Sequence, residues 1–297
     1  MRLSEELVAG LRARGDLWEP APGLVGLRGE TLAQLHDLEM RLHRLCLAET
    51  VDEWRVPEAL PLHVLERADY FASFPHWLSL VSHLSSDATA LECIARSATP
   101  AHLAARSSEP ASAALPPAVC YHVYTALADS TLHAARTVTA QGTCWRHEGE
   151  RLASLERGWA FTMREIVFLG SQEQCVAFCD RGIWMARTLL RELGLAGGFE
   201  EAEDPFFAPT GRGRALLQRL KGLKQELRLS IGGGETIAAA SFNLHEQFFG
   251  EAFDIRLADG SPAFTACVAF GLERWLLAML VAAAPVTGAA LIEEAVA

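Results

Sequence analysis

Basic residues are scarce in this 297-residue chain: 26 Lys and Arg stand against 37 Asp and Glu, a formal net charge of −11. That balance opposes the phosphate attraction on which nucleic-acid affinity largely rests, so general tRNA or DNA binding is disfavoured. Long apolar runs are missing as well. The longest, Trp275–Pro285, is about eleven residues where a membrane span needs roughly 20. The N-terminus has Glu5 and Glu6 in its first turns and no long apolar core, unlike a secretory signal, so a cytoplasmic protein is expected. Seven cysteines, an odd number, do not make a disulfide framework and point to reduced thiols or metal ligands. There is no internal repeat and no heptad array. What remains, 50% hydrophobic and 21% charged, suits a globular enzyme with a sizeable core, and a single domain over 1–297 is expected.

Leu32, Leu35, Leu38, Leu42 and Leu45 recur at spacings of three and four, which predicts an amphipathic packing helix in a helical N-terminal part, about 1–53. Pro20, Pro22 and Gly23 interrupt any longer coiled-coil arm. A helix begun near a proline and then an extended aromatic stretch are expected over 54–76, and an irregular connection rich in Ala, Ser and Pro over 84–118. From 119 the chain reads as strands and turns. The segments VCYHVY (119–124), TCWRHE (143–148) and FTMREIVFLG (161–170) are taken as neighbouring antiparallel strands. Residues 171–195 predict a helix with Cys175 and Cys179 as buried thiols on one face, and about 209–223 a second helix. A strand, a triple-glycine turn and another strand follow within 227–257, and 268–283 reads as the last helix. The span 171–228 is read as a helical insertion.

Cys120, Glu165 and Cys267 carry the most chemical information. They are separated by 45 and then 102 residues, so only a folded domain brings them together. Two thiolates and a carboxylate are zinc donors, and three protein ligands with one open position make a catalytic rather than a structural site. A lone strand cysteine is more often a small core hydrophobe; what favours metal is the placement of all three inside or beside segments that resemble the catalytic motifs of a known family, described next. His122, His147 and His245 lie near the same segments, as further ligands or as polar contacts at a pocket rim. Cys144 reads as core.

CWRHE (144–148), a charged loop and FTMRE (161–165) resemble the second signature motif of class II aminoacyl-tRNA synthetases, and AFGLERW (269–275) resembles the third. The resemblance implies an α+β fold, an antiparallel sheet flanked by helices, acting as a homodimer, with the first motif within 54–76. It implies that Arg146 grips the α-phosphate of ATP, Glu148 lies against the adenine or the amino-acid amine, Phe161 stacks on adenine, Arg157 meets the phosphates and Arg274 contacts the γ-phosphate. Guanidinium groups suit these roles because they stay charged and donate in a planar fork. Magnesium normally bridges such phosphates. Glu226 and Glu235 are candidates to hold it and Lys224 to reach a phosphate, each equally readable as a surface charge. Ser241 and Asn243, in SFNLH (241–245), either face the adenylate or end a strand.

Together with the Cys, Glu, Cys set, these motifs are similar to those of the zinc-dependent seryl-tRNA synthetases of methanogens. Over about 54–283, which includes DYFASFP (69–75) and DPFF (204–207), the chain looks still more like the amino acid:carrier protein ligases, a truncated relative without the tRNA-binding arm. That resemblance implies ATP-dependent activation of glycine or alanine and transfer to the phosphopantetheine thiol of a small carrier protein, with zinc at Cys120, Glu165 and Cys267 receiving the amine. Two rival readings are a seryl-type tRNA ligase and a catalytically inactive paralogue acting as a binding subunit. Net acidity counts against the first, and intact Arg146, Glu148 and Arg274 against the second. Carrier proteins of this type are acidic. Arg212, Arg214, Arg219, Lys221, Lys224 and Arg228, set against the single acid Glu226 and backed by Leu216, Leu220 and Leu223, form a stripe that suits docking or is simply a solvated helix face.

Overall fold

The computed structural model describes residues 2–47, 51–97, 99, 109–207 and 212–284. Helix α1 (Leu3–Arg14), the hairpin β1 (Leu17–Ala21) and β2 (Leu24–Leu27), helix α2 (Gly29–Cys46) and strand β3 (Asp52–Arg55) open the chain. Short elements follow: β4 (Leu60–Pro61), α3 (Leu62–Arg67), α4 (Tyr70–Ser73), β5 (Leu80–Val81), α5 (Ala88–Ser97), β6 (Ala113–Ala114), α6 (Cys120–Ala126) and β7 (Ser130–Leu132). Then come β8 (Arg136–Trp145), β9 (Ala160–Gly170), α7 (Gln172–Leu193), β10 (Gly197–Glu201), α8 (Arg212–Leu220), β11 (Lys224–Ser230) and β12 (Thr236–Glu246). Helix α9 (Phe248–Ala252), β13 (Ile255–Leu257), β14 (Phe264–Gly271) and α10 (Leu272–Ala283) complete it.

Seven strands build one sheet in the order β10-β11-β12-β14-β9-β8-β3. Neighbours run antiparallel except β3, which lies parallel to β8. Because side chains alternate across a strand, the sheet sends two sets of residues in opposite directions. Ile166 and Phe168 of β9, Val268 and Phe270 of β14 and Phe242 of β12 join Leu38 and Leu42 of α2 and Phe178 and Leu189 of α7 in one core. Val167 and Leu169 of β9 and Cys267 of β14 join α3, α6 and α9 in the other.

Helix α7 is well punctuated. Ser171 and Gln174 exchange hydrogen bonds in a capping box, and Gly194 at φ 64° closes the other end. Its Gly182 lies so close to β14 that a Cβ there would sit 2.5 Å from Cγ2 of Val268. The α2 leucines behave as their spacing predicts, with Leu38 and Leu42 buried and Leu35 and Leu45 packed beside them. No helix among the described residues is long and apolar enough to cross a membrane.

Four local expectations are corrected. Residues 120–126 are helix, not strand. Their β-branched and aromatic content favours a strand locally, but five consecutive buried side chains, Cys120 to Tyr124, need neighbours all round, which a helix wedged against the sheet supplies. The N-terminal part is two helices separated by a β-hairpin, the Pro20–Gly23 interruption being its turn. The stretch read as a helical insertion, 171–228, also contributes β10 and β11 to the central sheet. The last helix starts at Leu272 rather than 268; Val268, Ala269 and Phe270 are apolar like the helix that follows, so periodicity does not reveal the junction at Gly271.

Candidate active site

The pleat explains how the site assembles. On the face turned away from α2 and α7, β9 presents Glu165, β14 presents Cys267, and β12 presents Ser241, Asn243 and His245. Asn243 lies directly across the ladder from Cys267, and Glu165 is opposite Ala269, one pleat further on. Cys120 enters from the first residue of α6. Ligand atoms of Cys120, Glu165 and Cys267 all lie within 4.8 Å of one another, and all three residues are buried.

Their neighbours orient them. Both oxygens of Glu165 accept backbone N–H groups, from Val119 at 2.9 Å and from Cys120 at 3.1 Å. The side-chain amide of Asn243 donates to Sγ of Cys267 at 3.4 Å and to Oγ of Ser241 at 3.1 Å. His245 stands beside the trio, with Nε2 3.7 Å from Sγ of Cys267 and Nδ1 3.3 Å from the Tyr124 hydroxyl. His122 is buried with no partner for Nε2 among the described residues, and burial pushes its imidazole down to about 4. His147 packs edge-on against Trp159.

Burial, and then the nearby Cys267, push the Glu165 carboxyl up to about 7. The Cys120 thiol, hydrogen-bonded to Cys267 and buried, is raised, whereas Cys267, receiving that bond and facing His245 and Asn243, is lowered. Two thiols and a carboxyl confined away from water resist ionising together. A divalent cation removes that conflict for all three, and two sulfur donors with one oxygen donor suit zinc.

Above this floor opens a cavity of about 770 Å³, within the usual range for small-molecule sites. Arg146, just past β8, donates from Nε to the Pro117 carbonyl at 3.0 Å and lies over the rings of Trp77 and Phe161, 5.2 and 5.4 Å from their centres. Arg274, in the first turn of α10, donates to the carbonyls of Glu156 and Ala238, each at 2.8 Å. Burial and then Arg146 push its guanidinium down to about 10. Glu148 lines the cavity and pairs with Arg157 at 2.8 Å; Arg157 itself is about half exposed, at 47%.

Several cavity residues escaped the sequence reading. Glu273 accepts the Thr162 N–H at 2.9 Å through its carboxylate, and burial raises it; its signal was its place before Arg274. Trp77, one residue beyond the stretch 54–76, and the stacked pair Phe74 and Phe206, ring centres 5.0 Å apart, had no cavity role in the sequence reading. Asp204 lines the wall and holds Lys224.

Lys224 also lines the cavity, but its ammonium is already 2.6 Å from Asp204 and 3.1 Å from Glu226. Of the two magnesium candidates, Glu226 lines the cavity. Glu235 does not, sitting in the turn before β12 against Arg2. In the basic stripe, Arg219 pairs with Glu203 and Lys221 with Glu246, each at 2.8 Å. The side chains of Arg212 and Arg214 lie outside the described residues. Helix α8 ends at Leu220 and residues 224–230 are a strand, so the stripe does not run to Arg228 on one helix; Leu216, Leu217 and Leu220 are exposed.

The architecture is that of the class II aminoacyl-tRNA synthetases. The seryl-tRNA synthetase of M. kandleri, in its complex with A. aeolicus tRNASec, superposes with a TM-score of 0.83 over 95% of this chain and 57% of that one, at 22% identity. No protein-family model matches the chain. Among curated proteins, amino acid--[acyl-carrier-protein] ligase 2 of Bradyrhizobium diazoefficiens is 35% identical over 228 residues, 76% of this chain and 68% of that protein. The type-2 serine--tRNA ligase of Methanothermobacter thermautotrophicus is 27% identical over 240 residues, 75% of this chain and 46% of that protein. The chain belongs to the amino acid:acyl-carrier-protein ligase family.

Proposed function

We propose that this protein uses ATP to activate a small amino acid, glycine or alanine, as an aminoacyl-adenylate and passes it to the phosphopantetheine thiol of a carrier protein. The observation that carries the reading is the buried Cys120, Glu165 and Cys267 donor set at the base of a cavity walled by Arg146 and Arg274. The Bradyrhizobium relative, named a ligase of amino acid and acyl-carrier protein, supports the choice of acceptor.

Cys120, Glu165 and Cys267 are the residues that would hold zinc, which when bound supplies an open position for the substrate amine. Phe161 offers a ring face to adenine. Arg146 orients the α-phosphate and, with Arg274, neutralises the charge that builds there. One carboxylate oxygen of the amino acid attacks the α-phosphorus, the bond to the bridging oxygen breaks, and pyrophosphate leaves with the electron pair. In the second step the carrier thiol sulfur attacks the activated carbonyl carbon. The carbon–oxygen bond to AMP breaks, AMP departs with that pair, and the thiol proton passes to solvent. Of the two magnesium candidates, Glu226, which lines the cavity, would help hold the magnesium that accompanies ATP. No protein nucleophile is required.

The carrier docks at α8, where exposed Leu216, Leu217 and Leu220 adjoin Arg219 and Lys221. The protein acts in the cytoplasm as a homodimer. The test is amino-acid-dependent ATP–pyrophosphate exchange with glycine, alanine and serine, beside a chelated sample. Exchange with a small amino acid that disappears on chelation is the expected result; absence of exchange with zinc bound overturns the reading. Radiolabel transfer to holo carrier protein or to tRNA then decides the acceptor.

A further inference from the structure

We infer that α1 and the β1–β2 hairpin form a clamp that positions the loop between β8 and β9, and through it Arg274, for ATP. This rests on the adenylate-forming reading above. The clamp grips the loop at both ends. Leu155, in the loop, adopts φ 63°, a left-handed conformation that a bulky residue holds only when its surroundings impose it. The surroundings are visible: Leu155 is 2% exposed and packs with Val8 and Leu11 of α1, Leu17 of β1, Ile231, and Leu277 and Val281 of α10. It is a peg from a cavity-lining loop driven into a core that the N-terminal segment builds.

Polar contacts repeat the arrangement on either side of the peg. The Glu156 carboxylate accepts from Ser4 Oγ at 2.8 Å and from Arg2 at 3.2 Å, while the Glu156 backbone carbonyl accepts from Nε of Arg274 at 2.8 Å. One residue therefore joins the first turn of α1 to the guanidinium that faces ATP. Before the peg, Ser154 donates to Glu19 at 2.6 Å, and Arg12 donates to Ser154 at 2.7 Å. Glu19 also accepts the Gly23 N–H at 2.7 Å. Beyond the peg, the Gly23 carbonyl accepts from the N–H groups of Trp159 at 2.8 Å and Ala160 at 3.2 Å. Gly23 has φ 74°, and a Cβ there would lie 2.5 Å from the Trp159 nitrogen, so the hairpin turn admits no side chain.

Leu155, Glu156, Gly158 and Ala160 all line the cavity. A loop fixed in advance does not have to be ordered when ATP arrives, and Arg274 is held at a set distance from Arg146 and the zinc ligands. Leu155 and Glu156 are positioning residues: they act on ATP through the loop and through Arg274.

The test compares wild type with Leu155→Ala, with Leu155→Met as the variant that keeps the peg. The double change Ser4→Ala with Glu156→Gln serves if Leu155→Ala fails to fold. Two readouts are taken: KM for ATP and for the amino acid in pyrophosphate exchange, and amide hydrogen exchange over 149–160, which needs no turnover. Loosening the loop is expected to raise KM for ATP about tenfold, equivalent to about 1.4 kcal/mol of lost positioning, and to leave KM for the amino acid within about twofold. Amides of 149–160 exchange faster while those of β9 and β14 keep their protection, and Leu155→Met stays near wild type. Equal rises in both KM values, faster exchange across the whole sheet, or an unchanged KM for ATP with an opened loop each overturn the clamp. If wild type performs no pyrophosphate exchange, the adenylation reading fails by itself. The clamp is then decided by loop amide exchange and by calorimetric ATP binding, where Leu155→Ala is expected to weaken affinity about tenfold, equivalent to about 1.4 kcal/mol, and equal affinity refutes it.

Discussion

Asn243 stands directly across the β12–β14 ladder from Cys267 and donates its side-chain amide to that residue's Sγ at 3.4 Å. Groups of this kind turn a ligand toward its metal and steady its charge, and losing one typically weakens metal affinity 10–100-fold. Asn243→Ala is therefore expected to bind zinc about 10–100-fold more weakly in competition with a chromophoric chelator, with its circular dichroism unchanged. Cys120→Ser and Cys267→Ser are expected to lose stoichiometric zinc. Wild-type affinity in Asn243→Ala would show that the amide serves the fold rather than the ligand.

Arg146 has its guanidinium over both Trp77 and Phe161 and donates to the backbone carbonyl of Pro117. Lysine keeps the charge but loses the planar fork and the broad contact with the rings. Arg146→Lys is expected to slow pyrophosphate exchange by about 10²–10³-fold, as removal of one transition-state donor does, with zinc content intact. Exchange within threefold of wild type would remove Arg146 from the phosphate site.

The Asp204 and Lys224 pair makes stability depend on pH at both ends. Burial alone would raise the Asp204 carboxyl, but Lys224 and Gln218 outweigh it and hold it below its ordinary 3.8. Burial alone would lower Lys224, but Asp204 and Glu226 outweigh it and hold it above its ordinary 10.5. The carboxylate's contribution is complete above 3.8 and fades as pH falls through the depressed value; the ammonium's is complete below 10.5 and fades as pH rises through the elevated one. Lys224→Met is expected to lose about 2 kcal/mol at pH 7, between the values for exposed and fully buried pairs because Asp204 is partly exposed. That deficit shrinks in strong acid, where Asp204 is protonated in both proteins. Urea unfolding at the two pH values checks it, and a deficit constant with pH would contradict the pairing.

Gly182 leaves α7 in close contact with Val268, the residue after Cys267. Gly182→Ala gains helix propensity, worth about 1 kcal/mol, but overpacks a β-branched neighbour, which costs about 1–3 kcal/mol. A net loss is expected, seen as a lower midpoint in thermal unfolding and relieved in part by Val268→Ala. A stabilised Gly182→Ala would mean that the helix can lift away freely.

The elements with strong periodicity were legible: α2 from its leucines, α7 over 171–195, β9 and the β11–β12 hairpin from alternation and the glycine turn; of β8 only its end, 143–145, was read, and the strand expected to run on to 148 stops at Trp145. The gathering of Cys120, Glu165 and Cys267 was legible because the segments around them resemble the motifs of a known family. Helix α6 was not legible, since burial on every side overrode local preference. Nor was the commitment of Lys224 to Asp204, because that pair is made by a long-range approach with no trace in spacing. The peg at Leu155 is hidden for the same reason: a leucine in a charged loop looks unremarkable until Val8 and Leu11 are found around it.

Strand β9 pairs with β8 in a local hairpin but meets β14, which carries Cys267, only after about a hundred further residues have been made. During synthesis, Cys120 and Glu165 leave the ribosome well before Cys267 exists. Contacts of such long sequence separation also close late in folding. Until β14 inserts between β12 and β9, the cluster of Cys120, Glu165 and Cys267 is incomplete, and its assembly waits until the middle of the sheet has closed.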